Sequence, residues 1–315
     1  MSFLGQKIKV SRTTENVYIA DDSIVKFRVM GTVRELQTAP ITHREPVTRK
    51  ISADEFVDVR TGEIIEVQHQ DSRACNLRSV AQSLKHGRDM INANITRHNF
   101  RCVRWVTLTY AENMTDPKRL HRDFVVLRKR LMRRYGAFEY ISCAEPQQRG
   151  AWHLHCLFIF PKDAPYIPNE VLREMWGQGF VNIKALPDGC DNIGAYLTAY
   201  LGDLPLEEYE GTVDPSRIKT VEIEPYKGEK SEKRFVKGAR MKMYPTGMQI
   251  FRFSRGLKKP EEVEMPYSMA KKILGAATPR YSSACTITID DAFTQTISYE
   301  QYNISDIGCQ DEISF

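Results

Sequence analysis

Between residues 102 and 186 the apolar residues switch repeatedly between the period of a strand and that of a helix, and few folds accept that order. CVRWVTLTY (102–110) alternates with period two and is rich in β-branched and aromatic residues, which predicts a strand. Asp116-Pro117 supplies a capping side chain followed by proline at the first helical position. Leu120, Phe124, Leu127 and Leu131 then hold helical spacing to about Tyr135, and Gly136 ends the helix. Strands follow over Phe138–Ala144 and Trp152–Phe160, joined by a turn at Gln147–Gly150. Pro168–Trp176 reads as a short helix, Phe180–Leu186 as a strand and Cys190–Leu201 as a further helix. The order βαββαβ predicts an α+β fold, an antiparallel sheet with helices on one face.

The flanks read as β-rich additions. FVDVRTGEIIEV (56–67) is a hairpin turning at Arg60–Glu63, and residues 71–95 carry helical spacing through Leu77, Val80, Leu84 and Ile91. We therefore divide the chain into an N-terminal region with a lead-in helix (1–100), a core (101–204), a basic C-terminal region with hairpins and one helix near Ser268–Leu274 (205–280) and an acidic tail (281–315).

Charge follows that division. The net charge is +5, yet residues 281–315 hold no Lys or Arg and six acids, so the rest of the chain carries +11. A basic body points to a polyanionic partner; a solvated, disordered tail is the simpler account of the acidic end, and competition for the same surface the other. MSFLGQKIKV has no continuous apolar core and predicts no signal peptide. No apolar run is long enough to cross a bilayer. Seven cysteines without CxxC spacing argue against a disulfide scaffold and for a reduced, cytoplasmic setting. No GxxxxGK[ST] is present, so ATPase and helicase activity are not expected.

The chemistry-bearing residues sit in the core. In RGAWHLHCLF (149–158) His153 and His155 are two apart and point to one face of their strand. A hairpin brings Glu145, at the end of the preceding strand, toward that face. Two imidazoles and a carboxylate suit a divalent metal with open positions, whereas the histidine pair alone is as well explained by ordinary packing. In NIGAYLTAYLGD (192–203) Tyr196 and Tyr200 share a helical face with Ile193, Leu197 and Leu201. Periodicity alone makes them core aromatics of an amphipathic helix.

VTLTY (106–110), the E-x7-H-x-H of 145–155 and YLTAY (196–200), in that order, resemble the HUH endonuclease superfamily. Within it they are most similar to two-tyrosine rolling-circle replication initiators of small single-stranded DNA phages and plasmids. The resemblance implies an HUH/RRM-like sheet followed by a tyrosine helix. It implies Glu145, His153 and His155 as ligands of Mg²⁺ or Mn²⁺, and Tyr196 and Tyr200 as nucleophiles that nick origin DNA. The products are a 5′-phosphotyrosine link and a 3′-OH. A separate helicase and a prokaryotic host cytoplasm are further implications. Such initiators often carry a lysine just before the second tyrosine; here that position is Ala199. A transposase or relaxase with the same core, a non-haem iron oxygenase and a non-catalytic RRM-like nucleic-acid-binding module are the other readings.

Residues 118–135 hold eight basic residues against one acid, a one-sign helix suited to phosphates, from which we name Arg122, Lys129 and Arg133. GARMKMYPTGMQIFRFSRG (238–256) interleaves Tyr244, Phe251 and Phe253 with Arg240, Lys242, Arg252 and Arg255, a pattern shared by single-strand binding surfaces and by hairpins with inward aromatics.

Overall fold

The structure, a computed structural model, describes residues 2–3, 6–38, 48–52, 54–59, 61–66, 77–186, 194, 203–209, 211–223, 231–236, 238–289 and 293–304. The chain divides into two compact units, residues 70–258 and residues 1–69 with 259–315.

The 70–258 unit is built on a five-stranded antiparallel sheet ordered β11 (Val181–Lys184), β8 (Val103–Thr109), β10 (Trp152–Ile159), β9 (Glu139–Pro146), β15 (Phe251–Phe253). Its helices are α1 (Leu77–Asn94), α2 (Pro117–Tyr135) and α3 (Asn169–Trp176). From β8 to β11 the element order is the βαββαβ expected from the sequence. Helix α2 starts where the chain dictates: the Asp116 carboxylate accepts the Lys118 N–H, and Pro117 occupies the first turn. Leu120, Phe124, Leu127 and Leu131 are buried, each contributing roughly 2 kcal/mol of apolar transfer. The Phe124 ring meets Tyr140 edge-on at 5.0 Å, and Tyr140 pairs with Phe158, so α2 covers the sheet face that carries Leu154, Cys156 and Phe158. Helix α3 lies beside α2, with Arg130 donating to the Met175 carbonyl at 2.6 Å and the Trp176 indole N–H to the Thr109 carbonyl at 3.0 Å. Helix α1 meets the other face: a Cβ at Gly87 would stand 2.4 Å from the Phe251 ring, so glycine is required for this approach. A small sheet of β12 (Leu204–Pro205), β14 (Ser231–Val236) and β13 (Ile218–Ile223) completes the unit.

The other unit holds a seven-stranded antiparallel sheet in the order β1 (Ser2–Phe3), β2 (Gln6–Thr13), β17 (Tyr281–Ile289), β18 (Phe293–Asn303), β4 (Val33–Thr38), β3 (Ile24–Met30), β16 (Glu261–Pro266). Helix α4 (Tyr267–Leu274) buries Ala270 and Leu274 with Val25, Phe27, Leu36, Met265 and Tyr302. A separate sheet of β5 (Thr48–Lys50), β6 (Glu55–Asp58) and β7 (Ile64–Glu66) contains the expected hairpin, whose turn is closed by Gly62 N–H on the Asp58 carbonyl with Gly62 at φ +73°.

These units differ from the divisions expected at residues 100, 204 and 280. Residues 281–303, expected within a solvated tail, pair with strands near the N-terminus; their alternating Thr, Ile and Tyr side chains suit a two-sided sheet, and the six acids do not oppose it. Helix α1 belongs with the five-stranded sheet and not with the residues before it.

Candidate functional site

Strand register assembles the site. On β10, His153 lies opposite Thr109 of β8 and Glu145 of β9, and His155 opposite Thr107 and Cys143. Because alternate residues share a face, His153, His155, Thr107, Thr109 and Glu145 stand together on the face away from α2. Glu145 faces His153 across the ladder but bonds diagonally, with Oε2 2.8 Å from His155 Nε2. Thr107 Oγ1 lies 3.3 Å from His155 Nδ1, so the imidazole bridges strands on both sides. The two imidazole rings are 6.1 Å apart and nearly perpendicular, at 75°.

Burial sets the charge of this face. Desolvation pushes the His153 pKa down to about 4, helped by His155 and the Arg149 guanidinium. It pushes His155 to about 4 as well, aided by Lys184. Both rings are therefore neutral at pH 7, the state in which imidazole donates a lone pair to a metal. His153 Nε2 is buried with no hydrogen-bond partner, an orphaned donor–acceptor of the kind a bound cation satisfies. Two neutral imidazoles and a carboxylate on one face fit a divalent cation in donor type. They do not form a closed cage: among the described residues no three His, Cys, Asp or Glu side chains converge on a common point. The Arg240 guanidinium is ion-paired with Glu145 Oε1, and both side chains are nearly buried, at 14% and 12% exposure. A protein cation thus stands on the carboxylate that a metal would use.

A cavity of about 360 Å³ opens beside His153, walled by Glu145, Gln148, Arg149, Glu208 and Arg240. Arg149 is fixed there by donating to the Tyr110 carbonyl at 2.8 Å, and Gln148 donates to the Glu208 carbonyl at 2.9 Å. Neither Arg149 nor Glu208 stands out in the sequence. Arg149 lies four residues before His153 in a turn of ordinary composition, and Glu208 reaches the wall only through the tertiary fold.

The remaining expected residues distribute as follows. Arg122, Lys129 and Arg133 are all exposed, and their spacing places them along one stripe of α2. Other cations of that helix are used internally: Arg119 pairs with Glu112, and Arg128 sits 5.5 Å over the Tyr140 ring. Arg240, expected on DNA, pairs with Glu145 instead. Arg252 is half-buried and Arg255 exposed, while the Lys242 side chain lies outside the described residues. The aromatics interleaved with them face inward: Tyr244 is fully buried and donates to the Ala144 carbonyl at 2.7 Å, and Phe251 packs under α1. Tyr196 and Tyr200, with Ala199 between them, lie outside the described residues. Gly194 is described; it rests on α1, its N–H donating to Asn92 Oδ1 at 2.9 Å, where a Cβ would meet the Arg88 carbonyl at 2.5 Å. No helix of the described residues is long and apolar enough to cross a membrane.

No curated protein and no solved structure matches the chain. Residues 103–204, roughly a third of the chain, do match one family model: the stretch that carries Glu145, His153, His155 and both tyrosines is similar to a family described as replication-associated protein, of the ORF2 type.

Proposed function

We propose that the chain is a replication initiator that nicks single-stranded origin DNA by metal-assisted tyrosine attack. The observation that carries this is the shared sheet face of Glu145, His153 and His155, with Glu145 2.8 Å from His155, inside a segment similar to a replication-associated family. In this reading those three residues hold Mg²⁺ or Mn²⁺, which when bound polarises a phosphate oxygen as a Lewis acid. A phenol with an ordinary pKa near ~10 is a weak nucleophile at neutral pH, so help on the phosphate side matters. The oxygen of Tyr196 or Tyr200 forms a bond to phosphorus while the bond to the 3′ oxygen breaks. The departing oxygen takes a proton and becomes the primer 3′-OH. The 5′-phosphotyrosine retains the phosphodiester's energy, so a later attack by a 3′-OH releases tyrosine and rejoins strands without ATP. The core then corresponds to an HUH-type sheet. Arg122, Lys129, Arg133, Arg240, Lys242, Arg252 and Arg255 serve the DNA backbone, and a separate helicase opens the duplex.

The test is incubation with labelled origin-like single strands and Mn²⁺, followed by denaturing electrophoresis. A denaturant-resistant adduct that disappears in EDTA and in a folded His155→Ala protein is the expected result. Full cleavage in excess EDTA sinks the proposal. One observation favours a second reading, a nucleic-acid-binding module without chemistry: Glu145 is engaged by Arg240 and the three ligands do not converge. DNA binding with no adduct under any metal selects that reading.

A further inference from the structure

The opposite side of the sheet carries a second cavity, of about 900 Å³, between the first turns of α2 and the 245–252 segment. Two basic stretches that are far apart in sequence meet there. Lys118 and Arg122 come from α2 and Arg252 from β15. The one carboxylate on the wall is Asp116, 3.7 Å from Arg122 and already capping the helix. Lys118 and Arg252 have no acidic partner among the described residues. The floor is different in character: Leu120, Phe124, Leu154 and Ile250 are buried side chains of the sheet and helix core. Ser142 and Gln249 add hydrogen-bonding groups between floor and rim. His121 forms part of the wall, and burial together with Arg252 and Arg128 lowers its pKa, so it offers a neutral flat ring.

Volume and chemistry together select the occupant. A cavity of this size is far larger than a bare phosphate and lies in the range of small-molecule sites. Cations at the rim call for an anionic end, and the apolar floor beside a flat ring calls for a planar body with polar edges. We propose that this cavity binds one nucleoside phosphate, the phosphate held by Lys118, Arg122 and Arg252 and the base over the apolar floor. It deepens the DNA reading above and rests on it, adding a contact on the sheet face that does not carry Glu145, His153 and His155. The nucleotide comes either from a DNA strand gripped away from the cleavage point or from the free pool.

The experiment is isothermal titration of the full-length protein in EDTA with 2′-deoxyadenosine 5′-monophosphate, a short oligothymidylate, inorganic phosphate and laurate. Saturable binding of the nucleotide or the oligonucleotide, weakened at least tenfold in Lys118→Ala/Arg252→Ala, is the expected result. Oligonucleotide affinity at least tenfold above that of the mononucleotide marks a strand as the source, and the reverse marks the free nucleotide. Binding unaffected by the double substitution, phosphate binding as tight as the nucleotide, or a preference for laurate overturns the proposal. Photo-crosslinking of the wild type with an 8-azido-deoxyadenosine nucleotide needs no variant. Adducts within 116–124 or 245–252 support the proposal, and adducts confined to other peptides refute it. Adduct formation at tyrosine with no nucleotide bound here removes this inference and leaves the nicking reading standing; the converse outcome separates them the other way.

Discussion

Arg240→Ala tests whether the carboxylate at the centre of the site is held closed by a protein cation. Glu145 and Arg240 are ion-paired at 12% and 14% exposure, so neither charge is well hydrated. Arg240 Nε is itself buried without a hydrogen-bond partner, so the guanidinium is incompletely satisfied even while paired. Removing one member of a buried pair strands the other, at a cost of about 3–5 kcal/mol. We expect the low end, about 3 kcal/mol, because His155 stays on Glu145 Oε2 and both side chains keep some water contact. For a unit of this size that corresponds to a melting temperature lower by about 6–12 °C in EDTA. Mn²⁺ should reverse the sign of the comparison. In the wild type a metal must displace Arg240 before it reaches the carboxylate, whereas in the variant the carboxylate is free. A metal at a hundred times its dissociation constant stabilises the folded state by about 2.7 kcal/mol, so the Mn²⁺-induced rise should be larger in Arg240→Ala than in wild type. Differential scanning calorimetry with and without Mn²⁺ reads both quantities, and direct titration of Mn²⁺ gives the affinity. An unchanged melting temperature in EDTA, or a metal-induced rise no larger than that of wild type, refutes the latch.

Three further outcomes follow from the same geometry. His153 and His155 protonate near 4 when folded and near the ordinary ~6.5 when unfolded, so between those values the unfolded state binds more protons and stability rises with pH, levelling above the window. Urea unfolding at pH 5 and pH 7.5 should show this difference shrinking in His153→Gln, and an undiminished pH dependence contradicts the assignment. Replacing Arg122, Lys129 and Arg133 together by alanine should lower DNA affinity and flatten the slope of log affinity against log salt by about one per lost phosphate contact; an unchanged slope makes the stripe a solvated helix face. Tyr196→Phe and Tyr200→Phe should each reduce strand transfer, with the covalent adduct lost only in the double variant, and we expect Tyr196 to make the first cut. A double variant that still forms the adduct shows that another residue is the nucleophile.

Local pattern was enough for the elements of the core. The Asp116-Pro117 start, the Leu120–Leu131 stripe and the Gly136 stop define α2 through interactions within one helix, so they are readable without its partners. Period two on β8 and β10 likewise determines that Thr107 shares a face with Thr109, and His153 with His155. The short turn at Gln147–Gly150 then leaves little freedom in how Glu145 is brought to them, which is why that constellation was legible. What local pattern does not carry is pairing between distant segments. Tyr281–Asn303 has the alternation of strands, but nothing in it says that its neighbours are Gln6–Thr13 and Val33–Thr38, and its acidic composition argued for a tail. Tyr244, Phe251 and Phe253 have one sequence pattern whether they stack on bases or on α1; only packing against Gly87 and the Ala144 carbonyl decided for the interior. Arg240 lies far along the chain from Glu145, and an ion pair of that separation has no local signature; its existence depends on how the 239–243 turn docks beside β9. The same holds for Arg252, which β15 carries to Lys118 and Arg122 by joining the sheet at its edge, because edge pairing is chosen by the whole sheet and not by the three residues that make it.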